Sequence, residues 1–330
     1  MKIAICCNLK ESSHSSTRDL EEEFDSPQTV EAITQVLRSL GHEVAFLAEG
    51  AELPSRLVEC RPDFVFNFAE GRGCSRSREA RVPGLLEIMG IPYTFSDPFT
   101  LCVTLDKEVA KKIVASAGVS LPKGQLIDPC GDLSELKKQS WAFPLIAKPA
   151  WEGSSKGIRD ASVVDDFAQL QKIINQLGRI YSQPVLVEEF IEGREITVGL
   201  IGNGHPEVIG AMEIIPLADE PRFVYSLDVK RDFLNRVKYQ APALLDKKVE
   251  RALFDQALKA FTALGCKDLA RIDFRLDALS RPFFIEANPL PGLNPVTSDL
   301  CFLAKGMGWT YERLISRIFM ESAKRHNLAV

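Results

Sequence analysis

The chain has 330 residues, 45% of them hydrophobic and 26% charged, a composition that supports large buried cores in two or three domains and excludes disordered, collagen-like and coiled-coil chains. Forty basic residues against 45 acidic ones leave a net charge of −5, so no global field attracts nucleic acid or anionic lipid, and any polyanion must be met by local cations. No stretch approaches the roughly 20 apolar residues that a bilayer requires, and no signal-peptide layout precedes the strand-like Ile3–Cys7, so a cytoplasmic protein without membrane or nucleic-acid partners is expected.

From the start of the chain, Ile3–Cys7 reads as a buried strand. Ser26-Pro27 then supplies an N-cap and a proline at the first helical position, and Val30, Ile33, Val36, Leu37 and Leu40 recur at helical spacing up to Gly41. Strands over 44–47 and 64–68, a helix ending near Met89-Gly90 and a short strand over Ile91–Tyr93 complete an α/β unit with a mostly parallel sheet. Asp106 begins a further helix that Gly118 ends. Leu145–Lys148 is a strand running into Pro149–Gly157, too rich in Gly and Ser to continue a sheet and therefore expected as a mobile loop. A helix containing Phe167, Leu170, Ile173, Ile174 and Leu177 follows, then strands over 185–190 and 195–201. Strands near 208–215 and within 269–288, with helices near 246–264 and 310–325, close the chain.

Eight cysteines (6, 7, 60, 74, 102, 130, 266 and 301) include no Cys-x-x-Cys pair, and the histidines at 14, 42, 205 and 326 fall in none of the usual zinc spacings. Reduced thiols of a cytosolic protein are expected.

The chemistry is concentrated in Arg271-Ile272-Asp273-Phe274 and Phe283-Phe284-Ile285-Glu286-Ala287-Asn288. Alternate side chains of a strand share a face, so Arg271 and Asp273 point one way and Ile272 and Phe274 the other. An antiparallel hairpin centred between Leu279 and Ser280 sets Asp273 opposite Glu286 and Arg271 opposite Asn288. Two carboxylates and an amide oxygen then converge as ligands for a hard divalent cation such as magnesium, which would relieve the repulsion of two acids facing each other across a ladder. The plainer alternative is a solvated sheet face with a salt bridge to Arg271.

Lys107 follows a helix-starting Asp106, and Lys148 ends an apolar strand from which its ammonium can reach out. Gly153-Ser154-Ser155-Lys156-Gly157 offers amides and hydroxyls that can close over phosphate oxygens, although each feature alone is equally a surface lysine or a linker. Neither G-x-x-x-x-G-K-[ST] nor a G-x-G-x-x-G after the first strand occurs, which disfavours the two commonest nucleotide folds. Val185–Phe190 emerges into Ile191-Glu192-Gly193-Arg194-Glu195, a strand able to present its backbone to an adenine edge and a carboxylate to a ribose, although such an acid run by itself reads as solvent-facing.

Taken in order, these segments resemble the ATP-grasp superfamily and, within it, the D-alanine--D-alanine ligase family, over nearly the whole chain. The matching stretches are 85–93, Leu105-Asp106-Lys107, Ile146–Pro149, Glu152–Ile158, Val187–Phe190, Gly193–Val198, Arg271–Phe274 and Glu286–Gly292. The resemblance implies an α/β fold, α+β in its ATP-grasp part, of three domains: an N-terminal parallel-sheet domain (1–98), a central subdomain (99–187) and a C-terminal catalytic subdomain (188–330). ATP would lie between two antiparallel sheets. Lys107 and Lys148 then resemble phosphate-binding lysines, Ser154 and Ser155 the closing loop, Glu188, Glu189 and Ile191 adenine contacts, and Glu195 the ribose carboxylate. Lys230 resembles the γ-phosphate lysine, and Asp273, Glu286 and Asn288 the ligands of two magnesium ions, with manganese as the alternative. Arg271 and the Gly292 N–H resemble the oxyanion stabilisers. The activity implied is ligation of a carboxylate to an amine through an acyl phosphate, with small amino-acid substrates and a homodimer formed through the N-terminal domain. The same chemistry on an L-amino acid or a small metabolite is the alternative, and a non-catalytic nucleotide-binding module is the alternative of another class.

Three departures concern the amino-acid sites. Where the family carries a His-Gly-x-x-Gly-Glu-Asp-like stretch, this chain reads 67–78 without a histidine and with arginines at 72, 76, 78 and 81. Arg231 follows Lys230 where a tyrosine is usual, and Glu23 or Asp25 answers to the family's N-terminal glutamate. Beyond Gly292, either Thr297 or Ser298 would bind the acceptor carboxylate. Because arginine suits bidentate carboxylate recognition, Arg76, Arg78 and Arg231 suggest a substrate with an additional acidic group, against the alternative of a solvated loop.

Overall fold

The computed structural model describes residues 1–10, 19, 21–129, 133–220 and 222–329; His14 and Cys130 lie outside them. The strands β1 (Lys2–Cys7), β2 (Glu43–Ala48) and β3 (Phe64–Asn67) form a parallel sheet in the order β2-β1-β3. Its central strand is apolar without alternation because both faces are covered. Ile3, Ile5 and Cys7 join one core with Ile33 and Leu37 of the helix Pro27–Ser39, whereas Ala4 and Cys6 join another with Leu57 and Leu86. Ser26 caps that first helix by accepting from the Thr29 N–H at 3.3 Å.

The strand expected over Ile91–Tyr93 does not form. Tyr93 makes one isolated bridge to Val65, since Pro92 has no N–H to extend a ladder and Asp97 soon caps a new helix, Pro98–Leu105. Side chains hold the segment instead: Arg325 donates to the carbonyls of Tyr93 and Phe95 at 2.9 and 2.8 Å.

The strands β4 (Gly124–Ile127), β5 (Leu145–Pro149), β6 (Val163–Val164) and β7 (Val185–Glu189) form an antiparallel sheet, order β4-β7-β5-β6, packed on the helix Phe167–Tyr181. A third sheet, also antiparallel, has the order β10-β9-β8-β11-β12, with β8 at Arg194–Ile201, β9 at Glu207–Pro216, β10 at Val237–Gln240, β11 at Leu269–Leu276 and β12 at Pro282–Asn288. The helices Lys107–Ser116 and Lys247–Leu264 cover one of its faces. The helix Tyr311–Arg325 joins the other to the first sheet in a shared core. Asp268, fully buried, locks that junction by accepting from the Phe95 N–H (2.7 Å), Ser322 Oγ (2.6 Å) and Arg325 Nε (3.0 Å). Among the described residues no helix is long and apolar enough to cross a membrane.

Candidate active site

The hairpin of β11 and β12 carries the polar face. Arg271 pairs with Asn288 and Asp273 with Glu286, while β8 sets Thr197 beside Asp273 and Glu195 beside Arg275. Nearer the turn Leu276 pairs with Pro282, one residue out of that register, and a bulge between Asp273 and Phe274 takes up the difference. Ile272, Phe274 and Ala287 fill the core behind.

Asp273 accepts from Thr197 Oγ1 at 2.6 Å, from Arg271 through Nε and Nη2 at 3.0 Å each, and from Asn288 Nδ2 at 3.1 Å. Burial and the facing Glu286 carboxylate push its pKa up, against the pull of Arg271. Glu286 goes the other way. Burial opposes its ionisation, but Lys107, 3.4 Å away, together with Lys230 outweighs this and holds the carboxyl at about 2. The two carboxylates thus face one another with the half-buried Asn288 amide bridging them.

The cleft between the second and third sheets is a cavity of about 670 Å³ including its open mouth. Lys148, Ser155, Glu188, Glu189, Ile191, Glu195, Lys230, Asp273 and Glu286 are among its lining residues. Glu188 is 1% exposed, and its oxygens are taken by Lys148 at 2.6 Å and Lys111 at 2.7 Å. Lys111 was not singled out in the sequence, although it sits one helical turn beyond Lys107 and so shares its face. Burial lowers its pKa to about 8 despite Glu188. Arg275, also unexpected, pairs with Glu195 at 2.7 Å and donates to the carbonyls of Ile191 (2.6 Å) and Gly193 (3.0 Å), fastening the turn that enters β8.

A second cavity is lined by Glu70, Glu79, Lys107, Ser154, Arg271, Glu286, Asn288 and Gly292 among others, and a third by Asp25, Ser154, Lys230, Arg231, Arg271, Gly292, Thr297, Ser298 and Asp299 among others. Ser154, Arg271 and Gly292 belong to both, Lys230 joins the third cavity to the cleft, and Glu286 joins the second to it. A Cβ at Gly292 would lie 2.8 Å from Ser298 Oγ, so a larger residue there would displace that hydroxyl.

The loop expected to be mobile is tied down in this structure. Ser154 and Ser155 adopt left-handed backbone (φ +48° and +59°). The Gly153 N–H donates to Glu23 Oε1 at 2.7 Å, Ser155 Oγ donates to the Tyr225 carbonyl at 2.9 Å, and Lys156 pairs with Glu23 and Glu152. Glu23, rather than Asp25, therefore meets the loop. Its burial would raise the carboxyl, but Arg78 and Lys156 hold it at about 2.

Of the three arginines expected at the substrate, Arg231 borders the third cavity, whereas Arg76 and Arg78 line none of the three. Arg78 is 1% exposed and lines none of the three cavities; its Nη2 meets both Glu23 oxygens at 2.8 and 2.9 Å, and its Nη1 the Trp151 carbonyl at 2.6 Å. Arg231 is engaged by Glu22 and Asp19, and Arg76 projects outward, 3.5 Å from Asp106. Each of the three meets an acid of the protein itself, so their charge alone does not call for an additional acidic group on the substrate.

Asp25 borders the third cavity, where burial raises its carboxyl to about 6 against Thr29 and Lys10, with Cys7, Cys301 and Tyr311 facing it. The folded protein holds this proton up to about pH 6, whereas an unfolded aspartate releases it near about pH 4. Native stability therefore falls as pH rises between those values. Asp25→Asn is expected to gain about 2 kcal/mol in urea denaturation at pH 8, allowing for partial exposure, and to lose more than half of that gain at pH 4.5. A gain independent of pH would contradict this.

The family model "D-ala D-ala ligase C-terminus" matches residues 121–320. A D-alanine--D-alanine ligase of Aquifex aeolicus is 36% identical over 301 residues, 91% of this chain and 96% of that one. One from Gloeobacter violaceus is 32% identical, covering 88% of this chain and 92% of that one. The crystal structure of the Bacillus anthracis D-alanine--D-alanine ligase complexed with ATP superposes with a TM-score of 0.74 at 22% identity, covering 99% of both chains. With the fold shared over its full length and the sequence over nine-tenths of it, the chain belongs to the D-alanine--D-alanine ligase family of ATP-grasp ligases.

Proposed function

We propose that this ligase activates the carboxylate of one D-alanine with ATP and couples it to the amine of a second, releasing ADP and phosphate. The observation that carries the reading is the sharing of walls among three cavities at Ser154, Lys230, Arg271, Glu286 and Gly292. A nucleotide, a donor and an acceptor seated in these three cavities would meet there. The family relation to D-alanine--D-alanine ligases supports the choice of substrate.

In this reading Glu189, Ile191 and the backbone at Glu188 meet the adenine and Glu195 the ribose, while the Glu188 carboxylate orients Lys148 and Lys111. Lys107, Lys148 and Lys230 offset phosphate charge, and Ser154 and Ser155 hold the loop over the phosphates. Asp273, Glu286 and Asn288 would hold magnesium: two carboxylates and an amide can supply the hard oxygens it takes once the Asn288 amide, whose Nδ2 donates to Asp273 here, turns its oxygen toward them. Two ions, or manganese in their place, would neutralise charge on the β- and γ-phosphates. Transfer of the γ-phosphoryl to the donor carboxylate yields an acyl phosphate, since a free carboxylate is too poor an electrophile for an amine. Attack by the acceptor amine builds an oxyanion that Arg271 and the Gly292 N–H stabilise. Thr297 and Ser298 border the acceptor side, and the Glu23-anchored loop excludes water from the acyl phosphate. The same reading divides the chain at 1–98, 99–187 and 188–330, the second boundary falling within β7.

The test is ADP release and dipeptide formation with D-alanine, ATP and magnesium, with and without chelator. One ADP per dipeptide, abolished by chelation, is expected. ADP release indifferent to D-alanine overturns the substrate assignment.

A further inference from the structure

Arg271 is held from two sides, and only one of them lies in the expected ligand set. Nε and Nη2 bind Asp273, while Nη1 lies 3.3 Å from Asp299 Oδ2. Asp299 opens the helix Asp299–Gly306, where an acid is favoured by the helix dipole in any case. That preference needs no burial, yet this side chain is 9% exposed. Its other oxygen accepts from the Tyr225 hydroxyl at 2.8 Å, which in turn accepts from Tyr239 at 2.7 Å. Tyr225 also holds Ser155 through its carbonyl, and its ring lies 4.9 Å from Lys230 Nζ.

Asp273 has two duties under the proposed function, binding a cation and binding Arg271. A cation that draws on its oxygens weakens its hold on the guanidinium, which leaves Asp299 as the anchor with no competing ligand. We propose that Asp299 is a positioning residue for Arg271, fixing its Nη1 edge beside Gly292 where the oxyanion forms, and that Tyr225 ties this orientation to the seating of Ser155 and Lys230. The inference rests on the ligase reading above. One Nη1 hydrogen goes to Asp299 and the other remains for the oxyanion, so loss of the carboxylate frees the edge to rotate away.

The experiment compares wild type, Asp299→Ala, Asp299→Asn and Tyr225→Phe in steady-state assays with D-alanine, recording kcat, KM for ATP, the ratio of ADP to dipeptide, and Tm. Asp299→Ala is expected to lower kcat about 50-fold with KM for ATP within about threefold, and to release more ADP than dipeptide as the acyl phosphate is lost to water. Asp299→Asn, whose amide oxygen still accepts from Nη1, should recover to within about fivefold of wild type, and Tyr225→Phe should fall between the two. Asp299→Ala with kcat within about threefold of wild type, or an Asp299→Asn variant no better than the alanine at equal Tm, overturns the proposal. If Asp299→Ala does not fold, the same criteria apply to Tyr225→Phe and Asp299→Asn, whose kcat and product ratio must move in the stated order. Wild type that fails to turn over D-alanine defeats the ligase reading itself, whereas active wild type with an unaffected Asp299→Ala defeats only the positioning role.

Discussion

Arg271→Ala is expected to lower kcat with D-alanine about 1,000-fold, equivalent to about 4 kcal/mol of transition-state stabilisation, while ATP affinity changes little. The guanidinium is buried at the junction of two cavities beside Gly292, where a donor aimed at developing charge is worth far more than in water. Its removal also strands Asp273 and Asp299, which now flank it, and places two uncompensated anions next to a forming oxyanion. Arg271→Lys should recover little, because one ammonium cannot span both carboxylates as the planar fork does. ATP binding followed by titration calorimetry separates chemistry from nucleotide affinity. A kcat within tenfold of wild type, in protein of unchanged Tm, rules out the assigned role.

The register that brings Asp273 to Glu286 was legible because strand alternation is strict and two acids with an intervening short turn admit few pairings. The assumed turn centre was off by half a residue near Leu276 and Pro282, and the bulge restores the alignment where the chemistry lies. Helix starts marked by Ser26-Pro27 and Asp106 were equally plain. Pro98–Leu105 bears the same mark, Asp97 before a proline, but eight residues without a clear polar stripe leave no helical periodicity to read. The partners of Arg78, Lys111, Arg275 and Asp299 could not be read at all. Apart from the neighbouring Arg78 and Glu79, each ion pair joins segments far apart in the chain, and nothing local distinguishes such an arginine from a solvated one. The charge-rich stretch at 72–81 illustrates the consequence: its residue types suggested an anionic ligand, but the anions are Glu23 and Glu152 of the same chain.

Arg78→Met is expected to cost about 4 kcal/mol of folding free energy, because breaking one side of a buried ion pair leaves charge in a medium that cannot solvate it. Arg78 is the common partner of Glu23 at 2.8 Å, Glu152 at 3.7 Å and Glu79 at 4.0 Å, all of them buried, and among the described residues Lys156 is the other cation that reaches Glu23 and Glu152. Burial, with Glu23 repelling it as well, raises the Glu79 carboxyl to about 7 even with Arg78 present. The arginine also joins the first sheet's loop to the Trp151 carbonyl, next to the phosphate-side loop, so its loss should loosen both. Urea denaturation at pH 7.5 gives the stability change, and the ADP-to-dipeptide ratio reports whether water now reaches the activated intermediate. Arg78→Met combined with Glu23→Met should be more stable than Arg78→Met alone, since removing both partners leaves less unpaired charge than removing one, with Lys156 still matched by Glu152. A single variant that loses less than about 1 kcal/mol, or a double variant no better than the single, would mean that Arg78 is an ordinary surface-type ion pair rather than the hub on which the loop's anchoring rests.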